Sequence, residues 1–456
     1  MFKNSVAQML TDNNNRQSYT LVVGLGLTGM SVVKFLHARG ERIVVVDTRE
    51  LPPGCEELAN NYSDVVLKTG LFDEQLFINA DQIIISPGVP VSNPEIQCAL
   101  SNKIDVIGDV ELFAREARAP VIAITGSNGK STVTTLLGDM ASKAGIKVAV
   151  GGNIGIPALD LLKQKADLYV LELSSFQLET LFSLQPVAAT VLNISADHMD
   201  RYQDISAYAK VKQHIYEKAR CAIVNRDDEY VKAMPVQADK VTGFTLHDPG
   251  ENDFGLRVID GDVWLCKGRH KIIAEQDLKI AGRHNTSNAL AALALGEAAD
   301  IPMIAMLEAL REFPGLMHRT QWVAEQNNVT WINDSKGTNV GATLAAIEGL
   351  NVDNKLILIA GGLAKDAGFS SLRAAVKEKV RGLILLGRDA KLIEKDLHDV
   401  VSVYHVISME QAVSLAADLA ESGDCVLLSP ACASFDMFDG YEQRGEVFMQ
   451  AVRMLS

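Results

Sequence analysis

The chain has 456 residues, which at roughly 150 residues per domain suggests about three domains or two large ones. Apolar residues make up 48% and charged residues 22%, so packed cores are expected and disorder is excluded as the default. With 43 Lys plus Arg against 57 Asp plus Glu, the net charge is −14. That argues against nucleic acid or an anionic membrane as the main partner, yet leaves room for small anions held by a few placed cations or helix N-termini.

The six cysteines, Cys55, Cys98, Cys221, Cys266, Cys425 and Cys432, are scattered with no C-x-x-C pair. A disulfide framework or zinc site is therefore not expected, and the reading is a reducing compartment. No apolar run approaches the ~18 residues of a spanning helix. The stretch 1–17 has one Lys and no hydrophobic segment, so no signal peptide is visible. A cytoplasmic, monomeric globular protein is expected, with no nucleic-acid or membrane partner.

Short runs rich in Val, Ile and Leu recur along the chain at 20–24, 42–47, 82–86, 121–126, 168–173 and 187–194, and again at 355–361, 382–387 and 424–429. They alternate with amphipathic helical stretches, the pattern of parallel strands buried on both faces in doubly wound α/β sheets. Nucleotide-type signals follow the runs at 20–24 and 121–126, so two separate sheets are expected there. A third set of strands and helices follows about residue 316, after a breaker at Pro314-Gly315. The segment 243–278 has short alternating runs with Asp-Gly, and predicts a small antiparallel hairpin on the middle domain.

The first motif, Gly24-Leu25-Gly26-Leu27-Thr28-Gly29, joins a strand to a helix, and Asp47 ends the next strand. This is the spacing of a dinucleotide-binding turn, in which the helix N-terminus faces a phosphate and the carboxylate a ribose. A purely structural glycine turn would read the same way. Thr48 and Arg49 suit a phosphate or pyrophosphate at least as well as NAD.

The second motif is more specific. A strand runs into Gly126-Ser127-Asn128-Gly129-Lys130-Ser131-Thr132 and then a helix. The loop N–H groups can cradle phosphates, Lys130 can reach a transferred phosphoryl group, and the Ser131 or Thr132 hydroxyl can hold Mg²⁺. The loop is shorter than a Walker A motif, which would place Gly where Ile124 stands.

Glu172 ends the following strand, where a Mg²⁺ ligand belongs; the plainer reading is a helix cap. His198 lies in the loop after a further strand, as a metal ligand or a solvated loop histidine. In a helix expected from about 205 to 218, Lys212 shares a face with Tyr208, Ile215 and Ala219. A lysine in an apolar stripe must be paired, snorkelling or modified.

With GSNGKST, the chain also carries ELSSFQLE at 172–179, DHMDRY at 197–202 and GRHNTSNALAA at 282–292. Together these resemble the Mur ligase family of ATP-dependent amide-forming enzymes, over about residues 20 to 450. The stretch 333–339, Asn-Asp-Ser-Lys-Gly-Thr-Asn, GGLAK ending at Lys365, SPACASFDMF at 429–438 and Arg444-Gly445 are similar to the branch that adds D-glutamate. Gly337 and Gly368 depart from that branch, where Ala and Asp are usual.

The resemblance implies three domains: a Rossmann-like UDP-substrate domain (1–108), a central P-loop-type ATPase domain with a mainly parallel sheet (109–315), and a Rossmann-like amino-acid domain (316–456). It implies ATP and Mg²⁺, in two sites, and the joining of D-glutamate to UDP-N-acetylmuramoyl-L-alanine through an acyl phosphate in peptidoglycan precursor synthesis. By motif, Leu27, Thr28, Asp47, Thr48, Arg49, Gly88 and Asn153 would hold the UDP-sugar. Lys130, Ser131, Glu172, His198 and Lys212, the last as a carbamate, would form the phosphate and metal centre. The loop 126–132, Asn285, Asn288, Arg319 and Asp334 would contact ATP, although the two asparagines also suit a helix cap. Thr338, Lys365, Ser434, Phe435 and Tyr441 would surround D-glutamate. An NAD-dependent dehydrogenase would leave Lys130, Glu172 and His198 without a role. A nucleotide-gated binding protein is disfavoured by Lys130 and Glu172 together. A sister ligase such as a folylpolyglutamate synthetase would share the ATP loop and take another acceptor.

Overall fold

The computed structural model describes residues 18–280, 282–350, 354–364 and 368–455. The apolar runs become strands of three sheets, each in its own α/β unit. The first sheet contains β1 (Thr20–Val23), β2 (Ile43–Asp47), β3 (Val66–Thr69), β4 (Gln82–Ile85) and β5 (Asp105–Gly108), all parallel in the order β3-β2-β1-β4-β5. The order reverses between β1 and β4, which opens a crevice at their C-terminal ends, where ligands bind in such sheets. Helix α1 (Leu27–His37) leaves β1 through the glycine turn. Gly29 is required there, since a Cβ would lie 1.9 Å from the Gly24 carbonyl oxygen.

Helix α2 (Asp109–Glu116) leads into the second unit. Its Phe113 ring meets Tyr169 edge-on at 5.0 Å, and one apolar core continues from the first unit into the second. The second sheet contains β6 (Val121–Thr125), β7 (Val148–Gly152), β8 (Leu168–Glu172), β9 (Ala188–Val191), β10 (Cys221–Asn225), β11 (Lys240–Phe244), β12 (Phe254–Ile259), β13 (Asp262–Lys267) and β14 (His270–Ala274). Its order is β14-β13-β12-β11-β10-β9-β6-β8-β7. The expected hairpin is a three-stranded antiparallel extension of this sheet, joined through the parallel pairing of Phe244 with Phe254. Helix α3 (Lys130–Lys143) follows β6. Helix α4 (Ile205–Gln213) ends sooner than the periodicity predicts and tightens into a 3₁₀ turn over His214–Tyr216. Helix α5 (Arg283–Ala298) packs against α3.

The third sheet contains β15 (Gln321–Gln326), β16 (Val329–Asn333), β17 (Leu356–Gly361), β18 (Val380–Leu386), β19 (Ser402–His405) and β20 (Cys425–Leu428), in the order β15-β16-β20-β17-β18-β19. Only β15 is antiparallel to its neighbour. Separate apolar clusters cover its two faces. Helices α6 (Val340–Gly349) and α7 (Tyr441–Arg453) complete the parts that bear on the site. The third unit has its own core, and side-chain hydrogen bonds such as that from Arg319 to Ser131 reach from it to the second.

Candidate active site

The crevice of the first sheet widens into a cavity of about 480 Å³. Leu27, Thr28, Asp47, Thr48, Arg49 and Gly88 line it, and Asn153 of the second unit closes it. All seven residues expected at a UDP-sugar therefore share one pocket. Phe72, Ser86 and Gln177 also line it; Ser86 ends the run at 82–86 and Gln177 lies within ELSSFQLE, while Phe72 carries no local sequence signal. Asp47 is buried and already paired: Arg49 donates through Nε at 2.9 Å and Nη2 at 2.6 Å, and the Leu25 N–H donates at 2.7 Å. Burial pushes the carboxyl up, but the Arg49 guanidinium and the backbone N–H groups outweigh it and hold it at about 2. Asp47 thus fixes Arg49 at the mouth.

The phosphate-type loop springs from β6, which lies between β9 and β8 in the second sheet. Gly129 precedes α3 with φ +82, and a Cβ there would lie 2.4 Å from Asn288 Oδ1. No side chain caps α3 and its first turn holds no acid, so its N–H groups are presented to an anion. The Lys130 ammonium donates to the Gly126 and Ser127 carbonyls at 2.7 and 2.9 Å. Asn193 braces the loop from β9, accepting from the Asn128 N–H at 2.8 Å and donating to its carbonyl at 3.1 Å.

Glu172 ends β8 in register with Ile124 of β6, so its carboxylate lies beside the loop. It is 2% exposed; Oε1 accepts from Asn153 Nδ2 at 2.8 Å, while Oε2 is buried without a partner. Helix capping is done instead by Ser174 with Gln177, in a reciprocal capping box. An orphaned, buried carboxylate oxygen beside a phosphate loop fits a cation. Among the described residues no three His, Cys, Asp or Glu side chains converge as a metal cage. The donor set fits Mg²⁺ held by one carboxylate, the Ser131 hydroxyl, phosphate oxygens and water.

Lys212 is 1% exposed and donates to Thr125 Oγ1 at 3.1 Å, with its ammonium 4.7 Å from the Tyr208 ring centroid. It does not snorkel. Burial drives its pKa well below the usual lysine range and the Lys130 charge adds to this, against the pull of Asp197 and Glu172. His198 has left-handed backbone, φ +56; its ring meets Phe176 edge-on at 4.8 Å and its Nε2 lies 3.6 Å from Asp197 Oδ2.

A second cavity, of about 500 Å³, lies between the second and third units. Asn128, Gly129, Thr132, Asn285 and Asn288 line one wall, and Arg319, Asp334 and Lys336 the other. Arg319 spans the gap, its Nη2 donating to Ser131 Oγ at 2.7 Å. Asp334 accepts from Ser429 Oγ at 2.7 Å and the Thr320 N–H at 3.1 Å; burial raises its pKa to about 6. Asn285 and Asn288 do not cap α5, whose cap is Gly282; Asn288 donates to Asn285 Oδ1 at 3.3 Å.

The amino-acid residues are assembled only in part. Ser434 is buried, Thr338 half-buried, and Tyr441 stacks under the Lys336 ammonium at 3.6 Å. The Phe435 side chain is 72% exposed and walls nothing off. Lys365 lies outside the described residues. Arg444, buried, ties Ser335 to the Cys432 carbonyl and so pins the two loops of this region together. Burial first, then Arg319, lowers Lys336 to about 8. Lys336 was legible within the 333–339 stretch, where its burial had no signature.

The chain matches three family models in order: a Mur ligase MurD-like N-terminal domain over 18–108, a Mur ligase middle domain over 124–296 and a Mur ligase glutamate ligase domain over 318–432. It belongs to the Mur ligase family. Among curated relatives, it is 52% identical to the UDP-N-acetylmuramoylalanine–D-glutamate ligase of Pseudomonas putida, with 95% of this chain and 97% of that one covered. The same identity relates it to the ligase of that name from Nitrosococcus oceani, over 95% and 96% of the two chains. Solved Mur ligases share the fold. The UDP-N-acetylmuramate-alanine ligase of Thermotoga maritima aligns with TM-score 0.59 at 18% identity, over 96% of this chain and all of that one. MurF from Acinetobacter baumannii aligns with TM-score 0.60 at 16% identity, over 90% and 91%.

Proposed function

We propose that the protein joins D-glutamate to UDP-N-acetylmuramoyl-L-alanine at the expense of ATP, in the cytoplasm, as a step in peptidoglycan precursor synthesis. The observation that carries this reading is the meeting of the Lys130 loop with Arg319 and Asp334 across one cavity, beside the orphaned Glu172 oxygen. The names of the half-identical relatives support the same substrates. In this reading residues 1–108 hold the uridine nucleotide, 109–315 hold ATP, and 316–456 bring the amino acid.

The order of steps follows from the chemistry. A carboxylate is a poor acyl donor, so one alanyl oxygen attacks the γ-phosphorus, ADP leaves, and an acyl phosphate forms. The D-glutamate amine attacks the acyl carbon, loses a proton, and phosphate departs with the transferred oxygen. Lys130 and the α3 N-terminus stabilise charge on the phosphoryl oxygens. Mg²⁺, when bound, would supply further charge neutralisation there, and Glu172, Ser131, His198 and carbamylated Lys212 would hold it, over two sites. Asn153, bonded to Glu172, sits where the UDP pocket meets the phosphate centre and aligns the alanyl end.

Phosphate release, measured with UDP-N-acetylmuramoyl-L-alanine and ATP, is expected to require D-glutamate and to stay near background with L-glutamate. Paired carboxylates in a buried pocket reject the mirror image by leaving charges unpaired. Equal rates with the two enantiomers would remove the assignment.

Acyl carbon and amine must come within about 3–3.5 Å, so the third unit must close over the second during turnover. Small-angle scattering is expected to show a smaller radius of gyration with an ATP analogue and UDP substrate than without. Identical profiles would argue against closure, whose hinge lies at Pro314-Gly315 and the left-handed residues His318 and Thr320 that follow.

A further inference from the structure

Several of the contacts that bridge the second and third units meet at a side chain for which the proposed chemistry has no role, Asn339. Its carboxamide caps α6, with Oδ1 accepting from the Ala342 N–H at 2.8 Å. Capping does not require an amide, since Ser, Thr or Asp would serve. What Asn adds is Nδ2, which is buried and donates across the domain gap to Asn128 Oδ1 at 3.1 Å, with Asp197 Oδ2 at 3.5 Å. Asn128 belongs to the phosphate loop and Asp197 precedes His198. Asn128 Nδ2 in turn reaches Ser195 Oγ at 3.3 Å and Asn339 Oδ1 at 3.5 Å. One carboxamide therefore touches both loops that frame the phosphate centre.

A second observation is independent of that side chain. Gly341, two residues on, faces Ser195 so closely that a Cβ would lie 2.7 Å from Ser195 Oγ and 2.9 Å from its Cβ. The first turn of α6 thus docks without clearance onto the loop that leads to His198. On the other side, Thr338 precedes Asn339 directly, so an occupant of the amino-acid pocket bears on the same turn.

We propose that Asn339 is a positioning residue which, with Gly341, keys the third unit into the phosphate loop and the His198 loop, so that phosphoryl transfer is fast only in the closed arrangement. This rests on the ligase reading above. An open enzyme would lack the brace on Asn128 and would not commit ATP before the amino-acid domain is in place. Asn339 touches no reacting atom; it acts through Asn128 and Asp197.

The test uses the full-length protein and the variants Asn339→Asp, Asn339→Ser and Gly341→Ala. Asp and Ser keep the cap and remove the amide donor, and Asp also sets a carboxylate against Asp197. The expected result for Asn339→Asp is a kcat lower by about tenfold or more, since small misplacements cost that much. The KM for the UDP substrate should stay within roughly twofold and the melting temperature close to wild type. Asn339→Ser should fall the same way, and covers the case in which the Asp variant does not fold. Gly341→Ala should lower kcat by pushing on Ser195 while the Asn339 carboxamide itself is left unchanged. In a double-mutant cycle, Asn339→Ala should cost little further kcat once Asn128→Ala is present. A wild-type kcat in Asn339→Asp and Asn339→Ser, or strictly additive losses with Asn128→Ala, would overturn the proposal. A wild type that releases no phosphate would instead reject the ligase reading. The latch is then still read from scattering with a non-hydrolysable ATP analogue and Mg²⁺, where Asn339→Asp should stay more expanded than wild type, and equal compaction would overturn it.

Discussion

Replacing Lys130 by alanine is expected to lower phosphate release by a factor on the order of 10²–10³, the usual cost of removing one group that stabilises developing transition-state charge. The ammonium stands at the first position of α3, held over the loop by the Gly126 and Ser127 carbonyls. The ammonium is thereby kept beside the loop whose N–H groups would cradle the phosphates. Alanine is a good helix former and the side chain is only partly buried, so the fold should persist. Circular dichroism and thermal melting close to wild type, with turnover lost, is the expected pair of results. Near wild-type turnover would reduce the loop to a structural turn.

The second large effect is expected at Lys212. Its nitrogen is buried on Thr125 Oγ1 and feels the charge of Lys130. With its pKa lowered by burial, more of the amine is neutral than in an ordinary lysine, and a neutral amine adds CO₂ to give a carbamate and a proton. The product replaces a cation that repels Lys130 and any metal with an anion that attracts both. Lys212→Ala should be nearly inactive, and a small carboxylate such as acetate should restore part of the activity by filling the vacated space. Incubation of the wild type with ¹³C-bicarbonate should give a carbamate carbon signal that Lys212→Ala lacks. Full activity in Lys212→Ala without added acid would show that the lysine is only a packing residue.

Much of this was legible in the sequence because the informative signals are local. The glycine spacing at 24–29 and the run 126–132 fix a strand, a turn and a helix start within a few residues, and the structure places both at the C-terminal ends of β1 and β6. The seven UDP-pocket expectations meet in one cavity because each lies at the end of a strand, in the loop after it or in the first turn of the helix that follows. What was not legible depends on partners distant in the chain. Gln177 enters the UDP pocket only because the second unit meets the first there. Asn339 stood within a quoted motif, but its reach to Asn128 crosses 211 positions of sequence. Helix α4 stops short of its periodic pattern because Tyr216, within the 3₁₀ turn, is drawn to hydrogen-bond Val191 N–H and the Ile223 carbonyl. Phe435 fits the motif yet lies exposed, since a motif position does not set a side chain's direction.

Gly337 shows how a departure becomes physical. A Cβ there would lie 2.6 Å from both Asp334 Oδ2 and Ser429 Oγ, so in this chain the hydrogen bond between those two occupies the space that an alanine methyl would need.

The most direct test of amide formation through an acyl phosphate follows an oxygen atom. UDP-N-acetylmuramoyl-L-alanine carrying ¹⁸O in both carboxylate oxygens would be turned over with ATP and D-glutamate, and the released phosphate analysed by mass. One ¹⁸O per phosphate, with the other retained in the new amide carbonyl, is the expected result. Unlabelled phosphate alongside amide product would contradict it, because the substrate carboxylate would then never have been phosphorylated.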